Sequence, residues 1–87
     1  MFPLGIVSIT SGIKDLALRG FNPLLFLQRH ALGDWGEMSE GDKLQNELAL
    51  MDGDARIFSV YETPFGKVWI ITEHDRSNTI ILLPIEY

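Results

Sequence analysis

The chain has 87 residues and 9.8 kDa, which allows one domain, residues 1–87. Seven basic residues against twelve acidic ones give a formal charge of −5, which argues against a duplex-DNA binder with a broad basic surface. There is no cysteine, so disulfides, zinc–thiolate sites, Fe–S clusters and thiol nucleophiles are excluded together. Apolar residues make up 46% of the chain, the composition of a globular protein rather than a disordered tail. No run approaches the ~20 consecutive apolar residues that cross a bilayer. Met1-Phe2-Pro3-Leu4 lacks the basic start of a signal peptide. A cytoplasmic location, away from membranes, is the expectation.

Leu4–Ile9 is short, apolar and β-branched, and reads as a strand. Thr10 or Ser11 then offers a hydroxyl to cap a helix over Ile13, Leu16 and Ala17, with Gly20 past its end. Asn22-Pro23 starts a second helix, Asn as N-cap and Pro in the first turn. Leu24, Leu25, Leu27 and Leu32, with Phe26, form its apolar stripe, expected in the core, and Gly33 ends it. Two glycines flank Asp34-Trp35, so a tight turn around a large aromatic is expected, with Trp35 packed on the core and Asp34 bonding nearby backbone N–H groups. Ser39 caps a third helix from about Glu40 to Met51, with Leu44, Leu48 and Met51 as its buried stripe and Asp52-Gly53-Asp54 as its stop. Arg56–Glu62, Lys67–Glu73 and Asn78–Leu83 are of strand length, separated by hairpin-sized loops. The order β-α-α-α-β-β-β predicts an α+β fold. Its small antiparallel sheet is a three-strand C-terminal meander, with the N-terminal strand as a candidate further member, and about three helices on one face.

A three-residue loop over 64–66 would set Tyr61 opposite Trp69, and a four-residue loop over 74–77 would set Thr72 opposite Thr79. One sheet face then carries Phe58, Val60, Val68, Ile70, Thr72, Thr79, Ile81 and Leu83. The other carries Ile57, Ser59, Tyr61, Trp69, Ile71, Ile80 and Leu82. A one-residue slip in either loop would reassign the faces. Both are largely apolar, and the helices can cover one. The second face is therefore expected to be covered by the N-terminal strand or by a helix wrapping round the edge, or to bind a partner. A homodimer or a protein partner centred on Tyr61, Trp69 and Ile71 is the leading form, with Trp35 as a further binding candidate.

Arg29-His30 closes the second helix, where the helix dipole favours a cation. His30 and Asp34 alone are a weak metal signal, and no metal or cofactor is expected. Metal-independent RNA cleavage needs a base at the 2′-hydroxyl, an acid for the leaving oxygen and cationic or hydroxyl donors for the phosphorane. His30, Arg56, Ser59, Arg76 and Ser77 would supply that set if they converged, although the acidic charge gives RNA no support. No dinucleotide, P-loop, zincin or nucleophile-elbow pattern occurs.

Several segments together resemble a family of short bacterial proteins described as plasmid-related and found on plasmids and integrative elements. They are Arg29-His30 with Gly33-Asp34-Trp35-Gly36, Asn46 with Ala49-Leu50, and Arg56, Ser59 and Tyr61. Trp69 to Glu73, Asp75-Arg76-Ser77 with Thr79, and Leu82-Leu83-Pro84 with Glu86-Tyr87 complete the set. The resemblance covers almost the whole chain, and His74, where a smaller residue is expected, is a slight departure. Some members carry the label of a restriction-enzyme modification subunit, but a methyltransferase needs a far larger cofactor fold and an Asn-Pro-Pro-Tyr-like motif that this chain lacks. The resemblance implies the context of a mobile genetic element and no particular chemistry. The expected function is that of an accessory protein acting by macromolecular, chiefly protein, binding in an anti-defence or regulatory role. The alternative is a toxin-type endoribonuclease built on His30.

Overall fold

Backbone hydrogen-bond demand at the helix starts is met as the sequence signals. The computed structural model, which describes residues 1–87, contains β1 (Ile6–Ile9), α1 (Ser11–Leu18), α2 (Pro23–Ala31), α3 (Glu40–Asp52), β2 (Ile57–Thr63), β3 (Gly66–Thr72), β4 (Asn78–Leu82) and a 3-10 turn at Pro84–Glu86. Thr10 Oγ1 accepts from the Ile13 amide, Asn22 Oδ1 from Leu24 and Ser39 Oγ from Asp42, so each helix begins on a side-chain cap. α3 stops at Gly53, whose φ of 77° suits the left-handed cap.

The strands form one four-stranded sheet in the order β1-β4-β3-β2. The meander β2-β3-β4 is antiparallel, and β1 joins it parallel to β4, so the sheet is mixed. The β3–β4 register is the expected one, with Thr72 opposite Thr79 and Ile70 opposite Ile81.

The β2–β3 register is one residue off the expected one. Thr63 pairs with Gly66, which leaves Pro64-Phe65 as a two-residue loop and sets Tyr61 opposite Val68. Gly66 permits this by adopting φ 103°, and Thr63 Oγ1 pins the turn by accepting from the Phe65 amide and donating to the Gly66 carbonyl. The slip turns β2 over. Ile57, Ser59 and Tyr61 join Val68, Ile70, Thr72, Thr79 and Ile81 in the core under the helices, and all are fully buried or nearly so. Phe58 and Val60 go to the second face with Trp69, Ile71, Ile80 and Leu82. Tyr61 therefore lies in the core and cannot centre an interface on the second face, and Ile71 on that face is buried.

The chain's own C-terminal turn partly covers the second face. The Tyr87 ring packs edge-on against Trp69 and Phe58, at centroid distances of 5.5 and 6.2 Å, and Arg56 donates to the Tyr87 hydroxyl. Glu86 anchors the turn by accepting from Thr10 Oγ1, the Gly12 amide and the Leu83 amide. Its carboxylate sits at the start of α1, where the helix dipole favours negative charge, and these bonds hold it below the usual carboxylate range.

Two clusters fill the core. Ile13, Leu16 and Phe21 pack with Tyr61, Val68, Ile70 and Ile81; Phe2, Trp35, Ala49 and Ile57 form the second group. Trp35 anchors the α2–α3 link as expected, and Asp34 Oδ1 accepts from the Gly36 amide.

Candidate protein-binding surfaces and a buried histidine network

One helix faces the opposite way from its apolar periodicity, and a second departs from it in part. In α3 the inward residues are Asn46 and Ala49, not the expected Leu44, Leu48 and Met51. Those three are 56%, 41% and 81% exposed and form an i, i+4, i+7 stripe on the solvent side. The polar bonds of the helix explain the rotation. Asn46 Oδ1 accepts from the Phe58 amide at 3.0 Å and its Nδ2 donates to the Phe58 carbonyl at 2.7 Å, so one side chain occupies the free edge of β2 as a neighbouring strand would. Glu47 accepts from Trp35 Nε1 at 2.8 Å. An unpaired backbone amide and carbonyl at a covered edge carry a desolvation cost, which the Asn46 amide removes.

In α2, Leu24, Leu25 and Leu32 are exposed, contrary to the core placement expected of them. Phe26 and Leu27 of the same stripe pack against the core cluster as expected, and His30 and Ala31 are buried.

His30 decides that orientation. Its Nδ1 lies 2.5 Å from Ser59 Oγ and its Nε2 2.9 Å from Thr72 Oγ1; Thr72 meets Thr79 at 2.7 Å, and Thr79 Oγ1 donates to the Leu4 carbonyl at 2.7 Å. Proton accounting sets the tautomer. Thr79 spends its proton on Leu4, so it accepts from Thr72, and Thr72 in turn accepts from His30 Nε2–H. Nδ1 is left to accept the Ser59 hydroxyl proton. Phe2 and Trp35 pack edge-on against the ring at 5.2 and 5.9 Å. Burial pushes the imidazole down to about 4, so it is neutral at physiological pH. The helix-end cation expected at this position is instead a neutral core histidine. Arg29 occupies the cationic role: its guanidinium forms a two-pronged pair with Asp34 and stacks 4.7 Å above the Tyr61 ring. This bonding holds the Asp34 carboxyl below its ordinary range, and Tyr61, pushed up to about 12 by burial, donates to the Asp34 carbonyl.

Of the five residues considered for RNA cleavage, the structure brings together two, His30 and Ser59, and both are fully buried. Thr72 stands where a carboxylate would be needed to stabilise an imidazolium, and it carries no charge. Arg56 bonds Glu73 and Tyr87 and lines an open cleft of about 440 Å³ with Phe58, Val60 and Asp42. Arg76 folds under its own turn and donates to the carbonyls of Ala49, Ala55, Glu73 and His74, which explains how a non-glycine residue holds φ 59° there. Ser77 lies in the β3–β4 turn beside a separate open cleft of about 780 Å³, where its amide donates to Asp75. No group of three or more His, Asp or Glu side chains is arranged to hold a metal ion.

The exposed stripe of α3 was not legible as a surface, because its spacing is also the signature of a core face. The signal pointing the other way was Asn46, a helix-interior amide at the position that faces inward. No protein-family model, curated protein or solved structure matches the chain. No helix is long and apolar enough to cross a membrane.

Proposed function

We propose that this protein is an accessory protein of a mobile genetic element that works in the cytoplasm by binding another protein, in an anti-defence or regulatory role. The observation that carries the binding reading is the outward Leu44-Leu48-Met51 stripe of α3, an amphipathic face with nothing packed over it. Leu24, Leu25 and Leu32 of α2 add further exposed apolar surface. The mobile-element context rests on the resemblance of the Arg29-His30, Gly33-to-Gly36 and Asp75-to-Ser77 segments to plasmid-related proteins.

The test compares establishment of a plasmid in a restricting host with and without the protein expressed in trans. Wild type should raise establishment, and the Leu44→Asp/Leu48→Asp variant should lose that effect while keeping its circular dichroism and melting temperature. Full activity in the folded variant would refute the α3 surface.

The endoribonuclease reading has one observation in its favour, the Ser59–His30 bond. Complete burial of both groups and the separate engagements of Arg56, Arg76 and Ser77 weigh against it. RNA cleavage abolished by Ser59→Ala but kept by Leu48→Asp would favour it.

A further inference from the structure

β1 ends the sheet, and nothing covers its outer side. Its inner side pairs in parallel with β4, the Ile6 amide donating to the Ser77 carbonyl and the Thr10 amide to the Ile81 carbonyl. Alternate residues of a strand bond to opposite sides, so Ile6, Ser8 and Thr10 serve β4 while the amides and carbonyls of Val7 and Ile9 point outward. The usual guards of an edge are missing: Ile6–Ile9 contains no lysine, proline or inward charge. Ile6, Val7 and Ile9 are instead 76%, 40% and 42% exposed.

We propose that β1 pairs antiparallel with β1 of a second copy of this chain, about a two-fold axis through Ser8. Three observations select this occupant over another strand. The first is register. An axis at Ser8 sets Val7 opposite Ile9 of the partner copy and Ile9 opposite its Val7, which are the residues with outward bonding groups, and about four N–H···O=C bonds result. The second is charge. The chain carries −5 overall, and α3 presents Glu40, Asp42, Glu47 and Asp52, so self-contact there would set like charges together. Met1 to Ile13 contains no charged side chain, so β1 itself brings no like charges into the pairing. The carboxylates that flank it belong to other elements: Glu86 at Thr10 and Gly12, and Glu73 and Asp75 in the cleft beside Ile6 and Ser8. The third is closure. Joining two four-stranded sheets at β1 makes one of eight strands whose outer edges are both β2. Each β2 edge is already occupied by Asn46 and by residues 35–37, so the assembly ends at two copies rather than growing into a fibre.

This interface is separate from the α3 stripe. Light scattering at high micromolar concentration should give the dimer mass for wild type and for Leu44→Asp/Leu48→Asp, and about half that mass for Val7→Pro. Proline at position 7 deletes an outward amide that the chain's own sheet does not use, so the fold should persist by circular dichroism. Ile9→Lys, which adds charge at the pairing edge, should give the same loss and decides the matter if Val7→Pro unfolds. Amide exchange at Val7 and Ile9 should slow as wild-type concentration rises. A monomeric wild type would overturn the proposal, as would a dimer that survives Ile9→Lys. Protection of the Val7 and Ile9 amides in a monomer only on adding an extended apolar peptide would also overturn it, in favour of a strand from another protein.

Discussion

The two edges of the sheet are treated in opposite ways. At β2, the Asn46 amide bonds both backbone groups of Phe58; the Val60 amide donates to the Trp35 carbonyl and the Glu37 amide to the Val60 carbonyl. Gly36 forms a bridge with Val60 and lies so close that a Cβ there would strike the Val60 carbonyl oxygen and the Tyr61 ring. At β1, Val7 and Ile9 direct their backbone groups into open space. The contrast shows that an edge can be closed without a strand, by one amide side chain and a glycine-flanked turn. It also shows the consequence for the rest of the fold. Closing β2 fixes which face of α3 points inward, and so moves three apolar side chains to the surface.

The largest expected effect breaks the closed edge at its anchor. Trp35 holds residues 35–37 against β2 by packing with Phe2, Ala49 and Ile57 and by donating to Glu47. Trp35→Ala should lose ~3–5 kcal/mol of unfolding free energy, measured by urea denaturation, through loss of buried aromatic volume. A loss below ~1 kcal/mol would mean that the turn holds β2 without its tryptophan.

Acid tests the polar chain that runs from Ser59 on the closed-edge strand to Leu4, just before the open one. His30 is neutral in the folded protein down to about pH 4, whereas the unfolded chain takes up its proton near 6.5. The unfolded state therefore binds more protons between these values, and stability falls as pH is lowered from about 6.5 to about 4. The depressed imidazole should account for a loss on the order of 3 kcal/mol by the lower limit. His30→Asn should flatten this part of the pH profile in thermal melts; an unchanged slope would show that His30 is not its source.

The smallest effect sharpens the comparison itself. Asn46→Ala leaves the Phe58 amide and carbonyl without their partner and should cost about 2 kcal/mol. It should also render the variant prone to concentration-dependent association through a newly open β2 edge, visible as masses above that of wild type in light scattering. Association no greater than wild type would show that Asn46 serves helix placement and does not guard the edge.

The order and type of the elements were legible from the sequence because their determinants are local. Thr10, Asn22 and Ser39 act on amides two or three residues away, Gly53 on its own φ, and the β-branched runs on their own backbone preference. The core role of Trp35 followed from its size and its flanking glycines. The β2–β3 register was not legible, since Gly66 can end a three-residue loop or begin a strand, and one residue of slip exchanged the faces of Phe58 and Tyr61. The orientation of α3, and of part of the α2 stripe, was not legible either. Apolar periodicity reports that a helix has an apolar face, whereas the direction of that face depends on bonds across the fold: His30 to Ser59 and Thr72, and Asn46 to Phe58. The sequence alone thus determined an α+β chain of three capped helices and a C-terminal meander. Tertiary structure decided which edge is closed and which leucines face solvent, because buried polar groups must find partners at long range.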